Sequence, residues 1–202
     1  IDENWHLPPT PEHRQEKWVL SRLNEVTSQV QKYMEDYNFG EAQRVIHDFV
    51  WHEYADWYIE MVKIRLKDDT NTISPLPFLS YVLEKILRLL HPFMPFITEE
   101  IWQILLSQLP SMPGPKTSLM VTSYPTANKN MSNSAAEEEI DTLIEMVRSI
   151  RNVRSEFRIH QHQTLGIIIE SPEIATIAKS EVNLIKSLAR VDTIDFEDSS
   201  GG

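Results

Sequence analysis

The chain has 202 residues, enough for one domain, or one domain with a small appendage, at the usual ~100–200 residues per domain. Its 30 acids against 19 lysines and arginines give a formal net charge of −11, which argues against a general nucleic-acid binder, whose footprint is normally basic. A hydrophobic fraction of 41% with five tryptophans excludes a wholly disordered chain, and the absence of cysteine excludes disulfides, thiolate metal sites and cysteine nucleophiles.

The most apolar stretch, Ile86-Leu87 and then Leu89-Leu90, is broken by Arg88 and His91, far short of the ~20 residues a membrane span needs. No membrane partner is expected, and the cysteine-free composition leans toward the cytoplasm. The start, Ile1-Asp2-Glu3-Asn4-Trp5, has no methionine, basic n-region or apolar h-region, so the chain reads as an internal piece of something longer.

In chain order, residues 1–10 are an irregular lead-in, with Pro8, Pro9 and Pro11 opposing a helix. A first helix is expected from Glu12 to Tyr37, because Val19, Leu23, Val26, Val30, Tyr33 and Tyr37 recur at steps of four and three. After a turn at Asn38 and Gly40, a second helix runs from Glu41 to Lys67. It is apolar around most of its circumference, so Trp51, Tyr54, Trp57 and Tyr58 are all expected in the core of a bundle. Ser74-Pro75 opens a third helix, Pro92 and Pro95 bend the chain, and a fourth helix resumes near Phe96 with Glu99 and Glu100 in its first turn. Residues 110–133 are loop-like, and Ser134 caps a fifth helix from Ala135 to about Phe157.

The period then changes. Residues 164–169 read as a buried strand, Ser171-Pro172 opens a helix to about Leu188, and Val191 to Phe196 alternates as a second strand. The expected fold is therefore mainly α, a helical bundle over residues 11–160, with a small β-α-β extension at 161–197 and a linker or tail at 198–202.

Catalytic motifs are missing: there is no phosphate-cradling glycine loop, nucleophile elbow or zincin signature. No catalytic, cofactor-binding or metal residue is assigned, and whether the parent chain is an enzyme is open at this point. The row Asp48, His52, Asp56 and Glu60 lies on one helix face, but a carboxylate-bridged metal bundle also needs Glu-x-x-His pairs on two helices. The only such spacing, Glu3 to His6, falls in the irregular lead-in, so a solvated polar face is expected. His160 and His162, flanking Gln161 in a turn, are weighed in the same way.

The fifth helix is more informative. Arg148, Arg151, Arg154 and Arg158 step by three, three and four, within about 120° of one another at ~100° per residue. Residues 140–165 hold these four arginines against Asp141, Glu145 and Glu156, a local balance of +1 where the rest of the chain sums to −12. Arginine forks onto phosphate and stacks on bases better than lysine. A shorter patch, Lys63, Arg65 and Lys67, runs straight into Asp68 and Asp69. Two readings of the arginine row stand side by side: a nucleic-acid contact at a rim between helices, or pairing with neighbouring acids, Arg148 with Asp141 or Glu145, above the core.

Three stretches carry a resemblance. They are Phe49-Val50-Trp51-His52-Glu53-Tyr54-Ala55-Asp56-Trp57-Tyr58-Ile59-Glu60-Met61-Val62-Lys63, then Leu87-Arg88-Leu89-Leu90-His91-Pro92-Phe93-Met94-Pro95-Phe96-Ile97-Thr98-Glu99-Glu100-Ile101-Trp102, then Ile150-Arg151-Asn152-Val153-Arg154-Ser155-Glu156. Together, over about residues 15–170, they resemble the anticodon-binding domain of valyl-tRNA synthetases, a class I aminoacyl-tRNA synthetase family. The His-Pro-Phe-Met-Pro-Phe element is shared with the leucine and isoleucine enzymes, and the Trp-x-Glu-x-x-Asp-Trp-Tyr element points more narrowly to the valine enzyme.

The resemblance implies a module that docks the anticodon stem-loop of a valine-accepting tRNA. Its parent is implied to be a monomeric ligase that joins valine to tRNA with ATP and magnesium, and the remaining domains of that synthetase are its other partners. The family's two ATP-binding signatures and its editing domain are not in this sequence, so no cofactor is expected on this segment. The bundle is expected to lack the family's first helix, leaving a groove lined by Leu23, Val45 or Phe49. Arg148, Arg151, Arg154 and Arg158 are the candidate tRNA-binding residues. The alternatives are a helical protein-interaction module without nucleic-acid binding, or the same domain of a leucyl- or isoleucyl-tRNA synthetase.

Overall fold

A computed structural model of the chain describes residues 10–67, 74–108, 118–160 and 163–197. The lead-in over residues 1–9, His162 and the tail at 198–202 lie outside the described residues. The chain divides into two compact units, residues 1–134 and 135–202.

In the first unit, helix α1 (Arg14–Glu35) turns Trp18, Val19, Leu23, Val26 and Val30 inward, the stripe its sequence period dictates. The Glu16 carboxylate satisfies the orphan donors at its start, accepting from the backbone N–H groups of Glu12 and His13 at 3.0 and 3.1 Å. Tyr37, in the left-handed region at φ 58°, reverses the chain, and the Asn38 N–H closes the turn on the Tyr33 carbonyl at 2.8 Å.

Helix α2 (Phe39–Asp48) then runs through a π-helical segment (Phe49–Tyr58) into helix α3 (Ile59–Leu66) without a break. The π segment corrects one expectation. Of the four aromatic residues expected in the core, Tyr54, Trp57 and Tyr58 are buried, but Trp51 is 56% exposed and tilts against His47 at 6.2 Å between ring centroids. In a π turn the backbone bonds span five residues rather than four, so positions drift from the 3.6 period used to place them. Phe49 and Tyr54, five apart, share the core side while Trp51 rotates outward. Tyr54 stacks on Tyr58 at 5.9 Å and donates its hydroxyl to the Leu79 carbonyl at 3.1 Å. Burial pushes both phenols well above their ordinary range.

Helix α4 (Leu76–Leu90) packs on α1 and α2. It starts where Ser74-Pro75 predicted, and the Ser74 hydroxyl accepts from the Leu76 N–H at 3.3 Å. After the bend at Pro92, helix α5 (Pro95–Gln108) folds back on α4, and the Thr98 hydroxyl meets His91 Nδ1 at 2.8 Å. Glu99 does more than favour a helix dipole. Its carboxylate accepts from the Ser118 hydroxyl at 3.0 Å and the Leu119 N–H at 2.9 Å, which seats Leu119 beside Leu87 and Trp102. The expected open groove is not present at two of its three residues. Leu23 and Phe49 are buried and Val45 is half-buried.

The second unit holds helix α6 (Ser134–Glu156), strand β1 (Leu165–Ile169), helices α7 (Pro172–Ser180) and α8 (Val182–Ala189), and strand β2 (Val191–Phe196). The strands pair in parallel, with Ile167 opposite Ile194 and Ile169 opposite Phe196. Gly166 permits their close approach, since a Cβ there would stand 2.7 Å from Thr193 Oγ1. Ser171 accepts from the Ile174 N–H ahead of α7, as Ser-Pro predicts. The single helix expected from Ser171 to Leu188 is broken in two at Glu181, where neither glycine nor proline marks the change. The division into units also falls before α6 rather than after residue 160, so the arginine-bearing helix groups with the β-α-β piece.

Candidate nucleic-acid interface

The arginine row lies on the C-terminal half of α6, and the structure gives its four members different surroundings. Arg148 is exposed and pairs with Glu145 one turn earlier, Nη1 to Oε1 at 2.7 Å. Arg151 donates from Nε to the Leu188 carbonyl at 3.1 Å while the residue as a whole stays exposed. That contact places a cation on one of the last carbonyls of α8, where helix geometry leaves acceptors unsatisfied and the macrodipole favours positive charge.

Arg154 departs from the expected surface role. It is only 8% exposed. Its Nη1 donates to the Arg190 carbonyl at 3.1 Å, and its Nη2 donates to the carbonyls of His160 and Gln163 at 3.1 and 2.8 Å. One planar guanidinium thus satisfies three carbonyls, two from the turn after α6 and one from the turn before β2. A 3.6-residue period puts Arg154 in line with the row, but it cannot show that two distant turns converge on it. Arg158, one turn on, is exposed and takes a left-handed backbone at φ 52°, ending α6.

Those backbone bonds bring in residues that the sequence pattern did not single out. Arg190, exposed and left-handed at φ 56°, stands 36 residues from Arg154 in sequence yet shares a hydrogen bond with it. Phe157, 71% exposed, sits between Arg154 and Arg158 and offers a ring face to solvent, with Val153 half exposed one turn back. Exposed aromatic and arginine side chains together are the usual furniture of a single-stranded base platform. The signal for Phe157 was in the sequence, an apolar residue at a helix end beside a loop. For Arg190 there was none.

The other sequence candidates meet near neighbours on their own helix. Arg44 bridges Glu41 and Asp48 at 2.8 and 3.2 Å, His52 faces Asp56 at 3.7 Å, and Lys63 meets Glu60 at 2.7 Å, all on exposed surface. Among the described residues no group of three or more His, Asp or Glu side chains is placed to hold a metal ion. The 63–67 patch is not a surface row either, because Arg65 turns inward to Glu16 at 2.7 Å with both side chains nearly buried. Burial alone would raise the Glu16 carboxyl. The Arg65 hydrogen bond and the two backbone donors outweigh it and hold the group below its ordinary value of 4.5.

The sequence of the chain has counterparts among known proteins. Residues 16–169 match the family described as the anticodon-binding domain of tRNA ligase, and the chain belongs to that family. Among individual proteins, the chain is similar to the valine–tRNA ligase of Dehalococcoides mccartyi strain CBDB1, 41% identical over 182 residues that make up 90% of this chain and 20% of that protein. It is also similar to the valine–tRNA ligases of Nostoc sp. (40% identical, 89% of this chain, 18% of that protein) and Bacillus thuringiensis (38%, 83% and 18%). The chain spans about a fifth of the length of these curated relatives. No helix among the described residues is long and apolar enough to cross a membrane.

Proposed function

We propose that the chain is the anticodon stem-loop recognition module of a valine–tRNA ligase. The observation that carries this reading is the match of residues 16–169 to the anticodon-binding family, together with about 40% identity to valine–tRNA ligases across about nine-tenths of the chain. In this reading Arg148, Arg151 and Arg158 contact the tRNA backbone, Phe157 stacks on a base of the loop, and Arg190 extends the cationic surface. Arg154 contributes by position, since its guanidinium holds the two turns from which Arg158 and Arg190 project. Joining valine to its tRNA with ATP and magnesium belongs to the other domains of the cytoplasmic parent enzyme, which are this module's covalent partners.

The test is tRNA binding by the full-length ligase carrying Arg151→Ala with Arg158→Ala. Affinity for the valine-accepting tRNA should fall, and the salt dependence should become shallower by about one unit of slope per lost phosphate contact. Unchanged affinity with unchanged folding would sink the assignment, leaving a helical protein-interaction module as the reading of this surface.

A further inference from the structure

Apolar residues occur on every side of helix α5, yet the first unit covers only one side of it. Of its 14 residues only Thr98 and Trp102 are buried, and the helix packs against α4 and the turn at Leu119–Val121. A helix that is apolar all round is normally enclosed. Here Phe96 is 91% exposed, Ile97 and Ile104 are each 53% exposed, and Met94, just before the helix, is 40% exposed. At ~100° per residue, Phe96, Ile97, Glu100 and Ile104 fall within about 100° of arc, on the side away from Trp102. Met94, Pro95, Phe96 and Ile97 are also four exposed neighbours in sequence, a pattern that globular surfaces avoid unless something binds there.

Glu100 stands in the middle of this face, one turn after Phe96 and one turn before Ile104. Its carboxylate is exposed and makes no ion pair among the described residues. Glu99 differs, since it turns to the fold and accepts from Ser118 and Leu119. The charge pattern decides what can cover the face. Helix α5 carries no lysine or arginine, so nothing on it neutralises phosphate, and RNA is a poor occupant. A second copy is disfavoured as well. A two-fold contact through the centre of the face sets Glu100 against the Glu100 of the other copy, between chains of net charge −11. The complementary partner is apolar at its flanks with a cation at its centre. A ridge of side chains at i, i+4 and i+8 is the shape that a second helix packs against.

We propose that this face of α5 seats an amphipathic helix from the part of the parent ligase outside these 202 residues, with apolar side chains on Phe96, Ile97 and Ile104 and a lysine or arginine on Glu100. The assignment rests on the reading of the chain as one module of a valine–tRNA ligase, and the chain spans about a fifth of the length of its curated relatives. A segment of the same polypeptide is presented at an effective concentration on the order of millimolar, so a face of a few side chains suffices to hold it. Phe96, the most exposed of the three apolar residues, is the anchor, and the Glu100 pair sets the register.

Two measurements test this. The first uses full-length ligase with photoreactive benzoylphenylalanine in place of Phe96, irradiated and mapped by peptide mass spectrometry. Crosslinks should form within one polypeptide, to a helix outside the 202-residue segment that bears a lysine or arginine one turn from the crosslinked residue. Crosslinks between two copies, to bound tRNA or only to residues of this chain overturn the proposal, as does the absence of any crosslink. The second compares unfolding midpoints. Phe96→Asp and Glu100→Lys each alter an exposed side chain, so they should leave the midpoint of the 202-residue chain in place while lowering that of the full-length ligase by a few degrees. Equal effects in the two proteins, or none in either, overturn the proposal. Neither measurement reads tRNA affinity. A failed anticodon reading shows in the Arg151→Ala, Arg158→Ala variant, and a failed α5 reading shows in the crosslinks and midpoints alone.

Discussion

Arg154 and Arg148 show how little a side chain's place in a sequence row says about its energetic role. Arg148 is exposed and pairs with Glu145 on the surface, an interaction of the kind whose net contribution is about 0–1 kcal/mol, so Arg148→Ala should barely move the denaturation midpoint. Arg154 is buried on three carbonyls, and hydrogen bonds to a charged group contribute roughly 1.5–3 kcal/mol each before the losses of leaving acceptors dry. Arg154→Met should therefore destabilise the second unit by about 3 kcal/mol or more, with hydrogen-exchange protection lost first around residues 160–163 and 190. A variant as stable as the parent would show that the three carbonyls find water instead. The Glu16–Arg65 pair makes the same point inside the first unit. Removing Arg65 would leave a buried carboxylate without its partner, a loss of about 3–5 kcal/mol. Because the Glu16 carboxyl sits below its ordinary value in the folded chain, its contribution is full above about pH 4.5 and is lost as the pH falls through the lower folded value. Denaturation curves taken down this range should show acid loss of stability in the parent that is reduced in Glu16→Gln.

At the scale of the element, the π segment is the decisive feature. It separates two tryptophans that a regular helix would treat alike. Trp57, 4% exposed, fills the core, and Trp57→Ala should cost about 3–5 kcal/mol through lost burial and the cavity left behind. Trp51 is mostly exposed, and Trp51→Ala should stay within about 0.5–1 kcal/mol of the parent. Equal losses in urea denaturation would mean that the segment is a regular α-helix. Helix starts were legible because their chemistry is local: Ser74-Pro75 and Ser171-Pro172 each place a hydroxyl and a pre-set φ where a helix must begin. The break at Glu181 was not legible, since nothing there disfavours a helix locally.

For the whole molecule, a charge of −11 does not describe the proposed tRNA surface. Much of the acidity is spent within surface pairs such as Glu41–Arg44 and Glu60–Lys63, or lies along the outer helix faces. The proposed tRNA surface is short and cationic, so long-range attraction to RNA should be modest and the salt dependence should amount to about one unit of slope per phosphate contact made. Full-length ligase should therefore lose affinity as salt rises, and the Arg151→Ala, Arg158→Ala variant should lose it less steeply.

The sequence by itself determined the helical class, the strand–helix–strand ending and the family, because periodicity, capping residues and contiguous motifs are properties of neighbouring positions. It also located the arginine row. Only the tertiary structure decided which of those arginines remain exposed. Burial of Arg154 and inclusion of Arg190 both depend on groups dozens of residues apart in sequence. Their meeting is set by how elements pack, and no local pattern encodes that distance.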